Sequence, residues 1–180
     1  MEVEPSLRDQ LLAAIPSLRA FAISLCNDSH RADDLVQDTI MRAWANFDRF
    51  EPGTNLNAWL FTILRNLFHS EYRKRKREVE DIDGEYAGRL ASYPEQQAHL
   101  DLADFRQALA KVPVDQRQAL LLVGAQGMSY EEAAEICGVA IGTIKSRVNR
   151  ARNRLAELLA FKDEAEIGPD SITKAALTAK

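Results

Sequence analysis

The chain has 180 residues, 46% of them hydrophobic and 28% charged, and its formal net charge is −4. This size allows one or two small packed domains, and the mildly negative balance excludes a protein that coats nucleic acid through bulk positive charge. Two cysteines, with no stretch typical of a secretory signal or a membrane span, predict a cytoplasmic location and no disulfide framework.

Two amphipathic helices are predicted near the start of the chain. Apolar residues keep helical spacing from Leu11 to Leu25 and predict a first core helix, preceded by a polar, frayed segment from Met1 to Arg8. The segment from Asp33 to Trp44 has the same periodicity. Its outward face carries Asp34, Gln37, Asp38 and Arg42. By composition alone, such a face is compatible with simple exposure to solvent.

A third helix is predicted after a Pro52-Gly53 break, and its two faces differ in chemistry. An apolar stripe from Leu56 to Leu67 indicates packing on a core. The other face carries Thr62, Arg65, Asn66, His69 and Arg73. Five consecutive cations at 73–77 end this helix, and favourable interaction with the helix dipole accounts for only part of that run.

The loop before this helix carries Thr54, Asn55 and Asn57. Asparagine amides and a threonine hydroxyl can hydrogen-bond the edge of an unstacked base, and Gly53 allows a close backbone approach. A plain turn is the alternative, because Pro-Gly and Asn are also common turn residues.

An acidic segment at 78–98 separates two basic blocks of the chain, residues 65–77 and residues 145–154. It contains Gly84, Gly88 and Pro94 and has no helical apolar period, so it is predicted to be a flexible linker. The predicted organisation is therefore a domain at 8–77, this linker, a second domain at 99–160 and a flexible tail at 161–180. We also hypothesise that the acidic linker lies against the basic faces of the free protein and weakens DNA binding.

Two helices, Leu100–Lys111 and Asp115–Gly124, are predicted to open the second domain, separated by Pro113. Their expected core residues are Leu102, Phe105, Leu109, Leu120, Leu121 and Val123. No strand-like alternation is long enough to support a sheet, so the predicted fold class is all-α.

A helix-turn-helix is predicted from Ser129 onward. Ser129 and Glu132 have the spacing of a capping box, and Gly138 suits a left-handed turn. A second helix then begins near Ala140, with a buried stripe formed by Ile141, Ile144, Val148, Leu155 and Leu158. Its candidate DNA-binding residues are Thr143, Lys145, Ser146, Arg147, Asn149, Arg150 and Arg154. Cations suit phosphates and forked donors suit base edges in the major groove, although an ordinary solvated basic helix is the alternative.

Motifs that carry common enzyme chemistry are missing from the sequence. It contains no phosphate-binding G-x-x-x-x-G-K-[ST] loop, no G-x-S-x-G nucleophile elbow and no H-E-x-x-H zinc pair. Cys26 and His30 are four residues apart, but two ligands do not form a metal site. The sequence therefore offers no candidate catalytic residue, cofactor site or metal site.

Three of these segments resemble one family, the extracytoplasmic-function (ECF) sigma factors. The segment Asp33–Trp44 resembles their region 2.2, which docks on core RNA polymerase. The W-L-x-x-I-x-R-N-L pattern that begins at Trp59 resembles region 2.4, which reads the −10 promoter element. The segment Gly142–Arg147, followed by Arg150-Ala151-Arg152, resembles region 4, which reads the −35 element.

The resemblance implies partners and roles, and a protein that is not an enzyme on its own. Core RNA polymerase would bind the Asp33–Trp44 helix, the loop and third helix would hold −10 DNA, and the last helix would hold −35 DNA. Ser70-Glu71-Tyr72 and Ala140 depart from the usual family pattern. The stretch Arg65–Arg73 instead resembles alphaproteobacterial members that control the general stress response. Those members are inhibited by a small anti-sigma protein, which a phosphorylated sigma-like response regulator titrates away.

Two rival functions remain open at this point. One is a dimeric helix-turn-helix regulator that binds a palindrome without polymerase. The other is a sigma mimic that only sequesters an anti-sigma partner, although a mimic has no need for a recognition helix with five cations and no acid.

Overall fold

The structure, a computed structural model, describes residues 6–80 and 97–159, and within these ranges it contains α-helices, one short 3₁₀ turn and no strand. The helices are α1 (Leu7–Cys26), α2 (Ser29–Ala45), α3 (Leu56–Glu80), α4 (Gln97–Ala110), α5 (Val114–Gly124), α6 (Tyr130–Cys137) and α7 (Ile141–Leu159), and the 3₁₀ turn is Phe47–Arg49. The all-α prediction is confirmed.

Helix α1 starts earlier than the sequence suggested. Ser6 caps it by accepting a hydrogen bond from the Asp9 backbone N–H at 3.3 Å, so the prediction of a frayed segment as far as Arg8 was wrong for Leu7 and Arg8. The helix ends at Asn27, which adopts a left-handed conformation with φ of 53°. Asp28 then caps α2, and this short connection makes α1 and α2 pack side by side.

Helices α1, α2 and α3 enclose the first part of the core. Leu18, Phe21, Leu35, Leu60 and Leu64 are all at most 1% exposed. The rings of Phe21 and Phe61 meet edge to face with centroids 5.2 Å apart, a favoured geometry for aromatic pairs. These contacts fix the orientation of α3, and hence which of its faces is left for other partners.

Helix α1 is apolar enough to be compared with a membrane span. Its Arg8–Cys26 stretch has a mean hydropathy of 1.2, and by length and composition it would cross a bilayer. Its buried side chains face α2 and α3, however, and a core helix of a water-soluble fold meets the same criteria. We therefore interpret α1 as a core helix.

The described residues fall into an N-terminal half, 6–80, and a C-terminal half, 97–159. The C-terminal half contains the predicted helix-turn-helix, formed by α6 and α7. Ser129 and Glu132 make both hydrogen bonds of the capping box, at 3.0 and 2.9 Å, and Gly138 has a φ of 64°. Helix α7 buries Ile144, Val148, Ala151 and Leu155. Ile141, which the sequence placed in the buried stripe, is 39% exposed because it lies in the first turn of α7.

The predicted core of the C-terminal half needs two corrections. Phe105 is 38% exposed, so its assignment to the core was wrong. Ala119 and Leu122 are fully buried instead, whereas Leu120, Leu121 and Val123 are only partly buried. The apolar run at 119–123 has no polar residue to mark its outer side, so its sequence does not reveal which face packs inward.

The two halves share one hydrophobic core, an arrangement that the sequence did not predict. Buried residues of α1, α2 and α3 form a continuous cluster with Leu122, Met128, Ala133, Ile136 and Ile144 from the C-terminal half. Helix α3 packs on α6, and α1 packs on α4 and α5. A smaller cluster joins α4, α5 and α7 around Leu109, Val112 and Leu155.

Most of the predicted linker lies outside the described residues. Helix α3 extends to Glu80 and α4 begins at Gln97, so both enter the segment assigned to the linker at 78–98. Residues 81–96 and the predicted tail from 161 onward fall outside the described ranges, as does the hypothesis that the acidic linker covers the basic faces.

The capping box yields a first prediction. We expect Ser129→Ala to lower the free energy of unfolding by about 1 kcal/mol, because the Glu132 backbone N–H at the start of α6 loses its acceptor, Ser129 Oγ. Urea unfolding followed by circular dichroism measures the change. The control is Ser146→Ala, at an exposed position inside α7, which we expect to be neutral or slightly stabilising. Equal effects of the two substitutions would contradict the role of the cap.

Candidate nucleic-acid interface

Helix α7 presents most of its predicted DNA-binding residues to solvent. Those exposed are Lys145, Ser146, Asn149, Arg150 and Arg154, whereas Thr143 and Arg147 are half-buried. No acidic residue occurs in α7 before Glu157, which accepts a hydrogen bond from Arg154 at 3.0 Å. The buried stripe of α7 is held by α5 and α6, so this cationic face points away from the core. Such a face suits the major groove of DNA.

Arg147 has a structural contact that the sequence did not reveal. Its guanidinium pairs with Asp115 of α5 at 3.1 Å, and its Nη1 atom is buried without a partner. Only 20% of the Arg147 side chain is exposed. Arg147 therefore joins α7 to α5, and an Arg147 substitution would change packing as well as charge.

Four of the five residues predicted on the polar face of α3 line a groove. Arg65, Asn66, His69 and Arg73 enclose an open depression of about 360 Å³. The four residues recur at helical spacing on the face opposite the buried Leu60 and Leu64, so packing of α3 positions them together. Thr62 also lies on this helix, but its hydroxyl donates to the Ala58 carbonyl at 2.9 Å.

The C-terminal half contacts two of the four residues that line this groove. The Gln118 side chain, which is fully buried, accepts a hydrogen bond from Arg65 Nε at 3.3 Å and lies 3.1 to 3.2 Å from His69 Nε2. Burial lowers the pKa of His69, although the hydrogen bond to Gln118 partly opposes the shift. Neutral His69 is therefore favoured at this interface.

The residues predicted in the loop before α3 are exposed, and two of them form its turn. Thr54, Asn55 and Asn57 are exposed, as a role in binding requires, but Asn57 lies in the first turn of α3 and not in the preceding loop as the sequence predicted. The Thr54 hydroxyl donates to the Glu51 carbonyl at 2.7 Å, and Asn55 Oδ1 accepts from the Ala58 backbone at 3.3 Å, so both help to form the turn.

The other end of the Asn55 amide reaches the helix-turn-helix. Asn55 Nδ2 donates to Glu132 Oε1 at 2.7 Å. The same carboxylate accepts from the Ser129 backbone, and these two hydrogen bonds lower the pKa of Glu132. A further hydrogen bond joins the two halves between α5 and α1, where Arg117 Nη1 donates to the Ser24 carbonyl at 2.8 Å.

Helix α2 exposes all four residues assigned to polymerase contact: Asp34, Gln37, Asp38 and Arg42. Met41 and Trp44 are each 61% exposed on the same side of the helix. The sequence reasoning missed these two apolar residues, although helical spacing from Asp34 places them beside Gln37 and Asp38. A large exposed tryptophan on a polar helix face is typical of a protein-binding surface.

Both cysteines are free thiols that differ in burial. Cys26 is half-buried and burial raises the pKa of its thiol to about 11, whereas Cys137 is buried inside the helix-turn-helix. Within 6–80 and 97–159, no group of three or more His, Cys, Asp or Glu residues is placed to hold a metal ion.

Comparison with known proteins gives matches along most of the chain. The Sigma-70 region 2 family model matches residues 12–78, and the Sigma-70, region 4 model matches residues 102–155. The ECF RNA polymerase sigma factor EcfG of Rhodopseudomonas palustris (strain TIE-1) is 63% identical over 177 residues, which covers 98% of this chain and 98% of EcfG.

Solved structures agree with these matches. The sigma factor RpoE from Bartonella quintana, solved in complex with the anti-sigma factor NepR, superposes with a TM-score of 0.80 at 59% identity, covering 87% of this chain and 98% of RpoE. CnrH, solved in complex with the cytosolic domain of CnrY, superposes with a TM-score of 0.58 at 27% identity, covering 86% of this chain and 85% of CnrH. The chain therefore belongs to the ECF sigma factors of RNA polymerase.

Proposed function

We propose that this sigma factor divides promoter recognition among three helical surfaces. Residues 8–77 bind core polymerase through α2 and take up single-stranded −10 DNA on α3 and the preceding loop. Residues 99–160 bind the −35 duplex through α7. The observation that carries the proposal is the outward cationic face of α7, mounted on a capped helix-turn-helix, together with a second basic groove on α3 of the same chain.

For the −35 element, the proposal rests on the exposed side chains of α7. Lys145, Arg150 and Arg154 supply charge for phosphates, and Asn149 supplies an amide for a base edge. Thr143 and Ser146 are the remaining contact candidates, although the Ser146 hydroxyl donates to the Thr143 carbonyl at 2.9 Å. Arg147 contributes chiefly by fixing α7 against α5 through Asp115.

For the −10 element, the proposal rests on the α3 groove and the adjoining loop. Arg65, Asn66, His69 and Arg73 offer donors to phosphates and bases, while Asn55 and its loop neighbours face an unstacked base. Unstacking costs a few kcal/mol for each base step, and base capture with phosphate contacts offsets this cost.

For core polymerase, the proposal rests on the exposed face of α2. Asp34, Gln37, Asp38 and Arg42 give it polar specificity, and Met41 with Trp44 give it an apolar anchor. Nothing in the described part of the chain covers these six side chains, so the surface is open in the free protein.

Regulation follows from similarity to the RpoE and EcfG relatives. This chain is 59% identical to RpoE, which was solved in complex with NepR. We therefore propose that a small anti-sigma protein of that kind inhibits this chain. We further propose that it acts in the cytoplasm on general stress response genes. A polymerase-independent regulator is the alternative function, and it requires selective promoter binding without core enzyme.

Run-off transcription with purified core polymerase on a randomised promoter pool tests the proposal. We expect selective initiation only when both the chain and the core enzyme are present. Selective binding of a palindrome by the chain alone, with no initiation, would support the alternative.

Arg150→Ala tests the −35 surface. We expect weaker promoter binding by the holoenzyme, a salt dependence reduced by about one phosphate contact, and unchanged affinity for core polymerase. Filter binding over a range of salt concentrations measures the first two quantities. The control is Arg106→Ala, which removes an exposed cation from α4 rather than from the helix-turn-helix. Equal losses in the two variants would count against a specific role for α7.

Asp38→Ala tests the polymerase surface. We expect lower affinity for core polymerase, by about 1 kcal/mol or more, because an exposed carboxylate at the centre of the α2 face is lost. Fluorescence anisotropy of labelled protein titrated with core enzyme measures the change. The control is Asp104→Ala, which removes an exposed carboxylate from α4. If Asp38→Ala left polymerase affinity intact, α2 would not be the docking surface.

Addition of NepR from Bartonella quintana tests the regulatory proposal. We expect run-off transcription by this holoenzyme to fall as NepR is added, since NepR binds a relative that is 59% identical. A holoenzyme carrying the primary sigma factor serves as the control and should be unaffected. Undiminished transcription at a large excess of NepR would contradict inhibition by that class of protein.

A further inference from the structure

We propose that the free chain holds itself in a closed form in which the C-terminal half blocks the −10 surface but leaves the −35 surface open. This inference rests on the proposed assignment of DNA contacts. It adds an order to them, because the closed protein can engage duplex DNA through α7 before it can engage a single strand through α3.

Apart from the Arg117–Ser24 hydrogen bond, the polar contacts described between the two halves use groups that −10 DNA would need. Arg65 and His69 bind the Gln118 side chain, and Asn55 binds Glu132. A donor occupied by a protein acceptor is not available to a base or a phosphate. DNA must therefore displace Gln118 and Glu132 to reach these three residues.

Displacement requires more than a side-chain rotation. Gln118 is completely buried, with a relative exposure of 0%. It lies in α5, near Ala119 and Leu122 of the shared core. Met128 and Ala133, near Glu132, belong to the same core. Freeing Arg65 and His69 therefore requires that the C-terminal half move away from α3 as a unit.

The −35 surface is not involved in this closure. Lys145, Asn149, Arg150 and Arg154 remain exposed while α6 and α5 contact α3 and α1. Asn66 and Arg73, at the edge of the groove, are also exposed. The closed form thus engages Asn55, Arg65 and His69 of the −10 surface and leaves Asn66 and Arg73 without hydrogen bonds to the described part of the C-terminal half.

The energetic consequence is a reduced apparent affinity for single-stranded DNA. Binding that needs a minor open form is weakened in proportion to the population of that form. Any substitution that loosens the contact between the halves should raise single-strand affinity and leave duplex affinity unchanged.

Gln118→Ala, with Gln116→Ala as its matched control, tests the inference in the full-length chain without polymerase. Gln116 lies on the same helix, and within the described residues its side chain has no hydrogen bond to α3. The probes are a labelled single-stranded oligonucleotide pool of random sequence and a labelled duplex pool. Fluorescence anisotropy measures both affinities, and small-angle X-ray scattering measures the radius of gyration.

For Gln118→Ala, we expect a larger radius of gyration and about a tenfold gain in single-strand affinity, equivalent to about 1.4 kcal/mol, with no change in duplex affinity. Gln116→Ala should match the wild type in all three measurements. An unchanged radius with unchanged single-strand affinity would overturn the inference, and so would an equal gain for single-stranded and duplex DNA.

Glu132→Gln provides a second test that does not depend on removing a buried side chain. Glutamine keeps one oxygen for the capping box, but its amide NH2 then faces the Asn55 Nδ2 donor, so the hydrogen bond between residue 132 and Asn55 is lost. The control is Glu131→Gln, which removes the same charge from an exposed neighbour. We expect a gain in single-strand affinity at least twofold larger for Glu132→Gln, and equal gains would overturn the inference.

The outcome is separable from the proposed function. If the wild-type holoenzyme fails to initiate in run-off transcription, the proposed function is wrong whatever the scattering shows. If it initiates selectively but the Gln118 and Glu132 variants behave as their controls do, only the closed form is wrong.

Discussion

The hydrophobic core shared by the two halves of the chain is the constraint on which the other features depend. Phe21, Leu60 and Leu64 from the N-terminal half and Leu122 and Ile144 from the C-terminal half belong to one buried cluster. Apolar burial is the main stabilising contribution in folding, so the cluster sets the orientation of every helix that joins it. With their apolar stripes buried, α2, α3 and α7 have only their opposite, outward faces left for partners.

Charge segregation then determines which partner each face suits. The net charge of −4 conceals two strongly basic faces, on α3 and α7, and an acidic-polar face on α2. Basic faces attract phosphates over distances of about 10 Å at moderate salt, whereas the mixed face of α2, with Met41 and Trp44, is suited to a protein surface. Membership of the ECF sigma factors, which initiate transcription without catalysing a reaction themselves, is consistent with this division.

Polar groups at the boundary between the halves serve two competing purposes. Asn55, Arg65 and His69 lie where DNA would bind, yet they hydrogen-bond to Glu132 and Gln118. Hydrogen bonds exchanged for other hydrogen bonds have a small net free energy, so the cost of opening comes mainly from the apolar surface of the shared core and not from these polar contacts. Arg117 is different, because its buried guanidinium binds the Ser24 carbonyl and has an unpartnered Nε. Burial of this charge costs desolvation free energy and lowers the pKa of Arg117, and the hydrogen bond to Ser24 offsets part of that cost.

The sequence by itself determined the local features of this protein. Helical periodicity identified the all-α class, the Ser129–Glu132 spacing identified the capping box, and Gly138 identified the turn, because each depends on residues a few positions apart. Only the tertiary structure decided that Arg147 pairs with Asp115, that Phe105 lies at the surface, and that Gln118 reaches His69 across 49 residues of chain. Such contacts depend on which faces of different helices meet. That choice comes from packing of the whole shared core, and no short-range spacing in the sequence encodes it.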